Sequence, residues 1–175
     1  MSILDWLRAA QSDDAKARGD TETVRRIVGE LDRLDPAHAR YLAAFAYVLS
    51  RVANADLDIT SMESEKMAEI VQRVGHLSEA QAILVVQIAR NQNRLFGGTE
   101  DFLVTREFRD IATDAQRREL LDCLFAIAAA EGHISAEEEA QIRQVASELG
   151  FSHADYVATR LLYSDKRSVF RRGGA

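Results

Sequence analysis

One stretch of this chain is written twice. Ala129-Ala130-Glu131-Gly132-His133-Ile134-Ser135-Ala136-Glu137-Glu138-Glu139 answers Asn54-Ala55-Asp56-Leu57-Asp58-Ile59-Thr60-Ser61-Met62-Glu63-Ser64 at a shift of 75 residues. The shift needs no gap, and it carries Ala53 onto Ala128, Ile59 onto Ile134, Glu63 onto Glu138 and Gly75 onto Gly150. Each copy reads as a long apolar helix, an acidic elbow, a hydroxyl cap and a second helix. Apolar spacings of three and four recur throughout, whereas period-two β-branched runs are missing, so the chain is expected to be all-α. The expected architecture is a single-domain helical bundle with an internal pseudo-twofold repeat, its copies spanning about 37–75 and 112–150.

Taken in order, residues 1–19 read as a short helix, with Ile3, Leu4 and Leu7 on one side and Trp6 nearby, and then a solvated linker. The folded domain is expected over 20–163. Val24, Ile27, Val28, Leu31 and Leu34 form a one-sided helix. Asp35 then caps the next helix, with Pro36 at its first position, where the missing N–H has no partner to lose. Tyr41, Leu42, Phe45, Val48, Leu49, Val52 and Ala53 follow at core spacing, which makes this the central helix of the first copy. Capping boxes are expected at Thr60/Glu63, Ser78/Gln81, Thr113/Gln116 and Ser135/Glu138, and a further cap at Ser152.

The buried stripes behind these caps run through Met67, Ile70, Val71 and Val74; through Ile83, Leu84, Ile88 and Leu95; and through Phe102, Leu103, Phe108 and Ile111. In the second copy they run through Leu120, Leu121, Leu124 and Ile127, then Ile142, Val145, Ala146 and Leu149, and last Val157, Leu161 and Leu162. Met62 joins Met67 as core filling. Gly75 and Gly150 stand where a left-handed residue closes a helix. Residues 164–175 form a basic tail, expected to be flexible, with Lys166, Arg167, Arg171 and Arg172 around Phe170.

A formal charge of −6 argues against a nucleic-acid backbone as partner. The single cysteine, Cys123, cannot form an internal disulfide, which fits a reducing compartment. No apolar run approaches the ~20 residues needed to cross a bilayer, and the expected location is the cytoplasm. Phosphate loops, paired zinc cysteines and catalytic serine or histidine constellations are not found, so the chain is not expected to be an enzyme. Cys123 sits among Leu120, Leu121, Leu124 and Phe125 and reads as a core residue. Arg106, Arg109, Arg117 and Arg118 read as a solvated face.

At the elbows, an apolar helix, then Ala-x-Ala-Asp-Gly-x-Ile, then Ser or Thr, two residues and Glu, resembles the TerB domains. These are tellurite-resistance-associated domains related to the N-terminal domain of the DjlA co-chaperone. The resemblance runs from about His38 to Tyr163 and closes with Leu149-Gly150-Phe151-Ser152-His153-Ala154-Asp155-Tyr156. It implies a pseudo-twofold helical bundle in a bacterial cytoplasmic protein that handles stress, sometimes near the inner membrane face. The function expected from it is a non-enzymatic interaction or adaptor module with a protein partner.

The alternative is a divalent-metal sensor. Asp56, Asp58, Glu63, Glu131 and Glu138 supply the oxygens that calcium, magnesium or manganese prefer, and His133 adds a nitrogen. Capping explains Glu63 and Glu138 equally well, and no cofactor is otherwise expected. A calcium loop starting at Asp56 fails at its sixth and twelfth positions, Ser61 and Met67. Leu57 replaces the usual glycine of the first elbow, and Glu131 the usual aspartate of the second. The basic tail and Trp6 allow a peripheral membrane contact, and a homodimer is left open.

Overall fold

The computed structural model describes residues 4–5, 20–53, 61–91, 101–130 and 132–166. Among them are eight α-helices: α1 (Asp20–Asp32), α2 (Pro36–Ala53), α3 (Ser61–Arg73), α4 (Glu79–Arg90), α5 (Asp101–Ile111), α6 (Asp114–Ala129), α7 (Ala136–Glu148) and α8 (His153–Leu161). A 3₁₀ turn, Ser164–Lys166, follows, and the described residues form no β-strand. The architecture is all-α.

Helix α2 is the hub. A helix that is apolar all round must be enclosed on every side, and from Tyr41 to Ser50 every residue of α2 is buried. It packs against α1, α4, α5, α6 and α7. Ala39, Ala43, Ala44 and Ala46 keep its wall thin, so its neighbours come close. Tyr41 and Phe45 meet Phe108 of α5 at ring distances of 5.5 and 6.0 Å.

Adding 75 to the bounds of α3 gives those of α7. The buried positions follow the same shift, with Met67, Ile70 and Val71 on α3 answering Ile142, Val145 and Ala146 on α7.

Local chemistry places the helix ends where the sequence reading puts them. Asp35 Oδ2 accepts from the N–H groups of Ala37 and His38 at 3.1 and 3.2 Å. Complete capping boxes open α4 at Ser78/Gln81, α6 at Thr113/Gln116 and α7 at Ser135/Glu138. Ser152 caps α8 by accepting from Asp155 N–H. Thr60, Trp6 and Leu95 lie outside the described residues. Leu4 packs partly buried against the core.

The two helix-closing glycines part company. Gly150 has φ +85°. Its N–H bonds to Ser147 O and the next N–H, of Phe151, to Ala146 O, both at 3.0 Å, which is the Schellman pattern. After α3 the left-handed residue is instead His76, with φ 54°. Gly75 is required for another reason. A Cβ there would stand 2.6 Å from Val71 O and 3.2 Å from Cys123 Sγ.

Several apolar side chains expected in the core face outward: Met62, Ile83, Phe102, Leu103, Leu161 and Leu162. All but Ile83 lie in or next to the first or last turn of their helices.

Candidate functional site

The second elbow is held by one apolar plug and one cap. Gly132 adopts φ +93°, a conformation that a Cβ would strain. The turn drops Ile134, fully buried, into the core. Glu138 Oε2 accepts from Ser135 N–H at 2.8 Å while Ser135 Oγ accepts from Glu138 N–H at 3.1 Å. One carboxylate oxygen of Glu138 is thereby committed to the helix end. His133 is exposed, and Glu63 is half-buried in the first turn of α3. Asp56, Asp58 and Glu131, the other expected metal ligands, lie outside the described residues. Among the described residues, no three His, Cys, Asp or Glu side chains come together in a way that could hold a metal ion.

Cys123 is fully buried, and burial, reinforced by Asp122 and Glu119, pushes its thiol up to about 12. At neutral pH it is a protonated core residue, since only the thiolate is nucleophilic. Burial also raises the Asp122 carboxyl, partly offset by Arg118 and reinforced by Glu119. The histidines meet partners without a nucleophile: His76 Nδ1 lies 3.1 Å from Glu119, and His38 Nε2 lies 2.6 Å from the Gln81 amide nitrogen.

The most elaborate polar arrangement is one the sequence reading missed. Arg51, near the end of α2, has only 4% of its side chain exposed, and Glu148, at the end of α7, has 9%. Arg51 Nη1 donates to Glu148 Oε2 at 2.5 Å and to Thr105 Oγ1 at 2.6 Å, and Nη2 reaches Glu148 Oε1 at 3.4 Å. Asp101 stands 3.7 Å from Arg51 Nε and accepts from Tyr47 OH at 2.8 Å. Burial alone would raise the Glu148 carboxyl. Its hydrogen bonds with Arg51, Gln144 and Thr105, with the Arg51 charge, hold it below the usual range instead. The signal was available: an arginine in the last turn of so apolar a helix, enclosed by its neighbours, must find a buried counter-charge. Arg117 likewise belongs to the structure rather than to a solvated face, donating to Leu149 O at 2.8 Å and pairing with Asp114.

On the outside, α1 and α4 enclose an open cleft of ≈ 410 Å³. Leu34, Ala80, Ile83 and Leu84 give it apolar lining, and Arg26, Glu30, Gln81 and Gln87 polar lining.

A family model described as tellurite resistance protein TerB matches residues 42–161. The chain belongs to the TerB family. The match takes in α3, both elbows and α7, and ends at the last residue of α8. No curated protein and no solved structure matches the chain. The Arg51–Glu148 pair therefore lies inside the TerB domain, while α1, which walls the cleft, precedes it.

Proposed function

We propose that this TerB-family chain is a non-enzymatic adaptor: a bundle that works by holding another protein in a tellurite-associated stress response. The observation that carries this reading is the division of labour between interior and surface. The polar groups of the interior are spent on holding helices together, as in the Arg51–Glu148 pair. The surface instead keeps a cleft of mixed apolar and polar lining between α1 and α4. Apolar centres with polar rims are what protein interfaces use, and a groove between two helices suits a partner's amphipathic helix.

The test is capture with wild-type chain beside Ile83→Lys, which places a charge in the cleft lining. A defined protein recovered by the wild type, lost with the variant and rebinding as purified material supports the adaptor. Equal capture by two variants with the same unfolding curve overturns the cleft as its binding surface.

The alternative reading is a sensor that holds calcium, magnesium or manganese at the elbows. It draws support from the left-handed Gly132 and from Glu63 and Glu138 standing at matched positions of α3 and α7. Calorimetric titration of metal-stripped protein, beside an Asp56→Asn, Glu131→Gln variant, separates the two. Saturable heat lost in the variant favours the sensor, and flat traces leave the adaptor.

A further inference from the structure

Resting on the adaptor reading of the cleft between α1 and α4, we infer that its occupant is an acidic amphipathic helix whose carboxylate goes to Arg26. The helix carries apolar residues at i and at i+3 or i+4, and aspartate or glutamate at i+7. The lining of the cleft falls in two stripes. Arg26, Glu30 and Leu34 follow at intervals of four along α1 and just past its end. Ala80, Ile83 or Leu84, and Gln87 follow at intervals of three or four along α4. Residues at these spacings share one helix face. Two such faces side by side offer the ridges and groove on which a third helix packs. Ile83 is 45% exposed there, so nearly half of an aliphatic side chain is open to a partner.

The polar lining sorts by what each side chain already holds. Glu30 pairs with Arg33 at 2.7 Å. Gln81 Oε1 accepts from Ser78 N–H at 3.1 Å, and its amide nitrogen meets His38. Arg26 and the Gln87 side chain hold no hydrogen bond or ion pair among the described residues. Both present N–H donors, and a guanidinium fork matches a carboxylate best. His38, four residues past Leu34, reaches Gln81, so the close of α1 stands by the opening of α4. Arg26, eight residues before Leu34, then falls toward the Gln87 end, about two helical turns away. Two turns of a partner helix are about seven residues, and i+7 lies on the same face as i and i+3. A partner seated on Leu34 and Ile83 also takes water from Arg26, and a desolvated cation is costly unless it is paired. A basic helix would be repelled there, and a wholly apolar one would leave Arg26 unmet.

The experiment is selection of helical peptides, displayed on one scaffold with a single face randomised, against the full chain and against Arg26→Glu. Ile83→Lys is the control for the cleft itself. Both side chains are exposed, so the three proteins should share one unfolding curve. Peptides enriched on the wild type should carry leucine, isoleucine, methionine or phenylalanine at i and at i+3 or i+4, and an acid at i+7. Arg26→Glu should weaken them about tenfold and should itself enrich lysine or arginine at i+7. Peptides without a charge preference, or with the acid retained on Arg26→Glu, overturn the acidic partner, and loss of their binding with Ile83→Lys then leaves the adaptor cleft standing. Binding indifferent to both variants overturns the cleft as well, as does a selection that enriches nothing. Saturable, Arg26-dependent binding of octanoate with no peptide enriched overturns the helix in favour of a small apolar acid.

Discussion

Changing Glu148 to glutamine keeps the shape of the side chain and removes its charge. Arg51 would then be left in the interior, 4% exposed, with its main counter-ion gone. Removing one partner of a buried pair costs about 3–5 kcal/mol, because the survivor is a desolvated and uncompensated charge. For a chain of this size, about 2–4 °C of melting temperature accompany each kcal/mol, so the fall should be roughly 6–20 °C. Urea unfolding of the wild type, Glu148→Gln, Arg51→Met and the double variant gives the coupling directly. The double variant should recover much of the loss, since an apolar replacement of both partners is often neutral. Arg33–Glu30, whose side chains are 75% and 48% exposed, is the internal control and should be worth less than about 1 kcal/mol. The pH dependence has a definite sign. The folded carboxyl of Glu148 titrates below its unfolded value. Its contribution is therefore present above the ordinary glutamate value of about 4.3 and is lost as pH falls through the folded one. The gap between wild type and Glu148→Gln should close on acidification. A loss for Glu148→Gln no larger than that of the control pair, or a gap that widens in acid, would refute the reasoning.

Gly75→Ala should destabilise by about 1–3 kcal/mol in urea unfolding, because the new methyl meets a backbone carbonyl that cannot move aside. Cys123 should react with a thiol reagent at the rate of unfolding rather than at that of an exposed thiol, and its labelling should follow denaturant in step with circular dichroism. Ser135→Ala should cost about 1 kcal/mol, since Glu138 then reaches back to a cap that no longer answers.

The sequence was most legible where short-range chemistry decides. A hydroxyl three residues before Glu or Gln has few better uses than a capping box, and Ser78, Thr113 and Ser135 all make one. An apolar run as long as α2 has no choice but the centre. What needed the third dimension was the partner across space. Arg51 and Glu148 are 97 positions apart, and nothing near either names the other. His76 takes the left-handed turn that Gly75 was expected to make, because Gly75 is held by its closeness to Val71 and Cys123 instead. Periodicity marks the apolar face of α8 but not where its neighbours stop, so Leu161 and Leu162 look like core residues in the sequence yet stand exposed.

The enclosure of α2 has a consequence for anyone who would cut this protein in two. The helix lies in the first third of the chain, yet α5, α6 and α7 all pack on it. An N-terminal half expressed alone would present that surface to water and aggregate. The apolar wall of α2 is closed by helices from far along the chain, so no cut behind it leaves a self-sufficient piece.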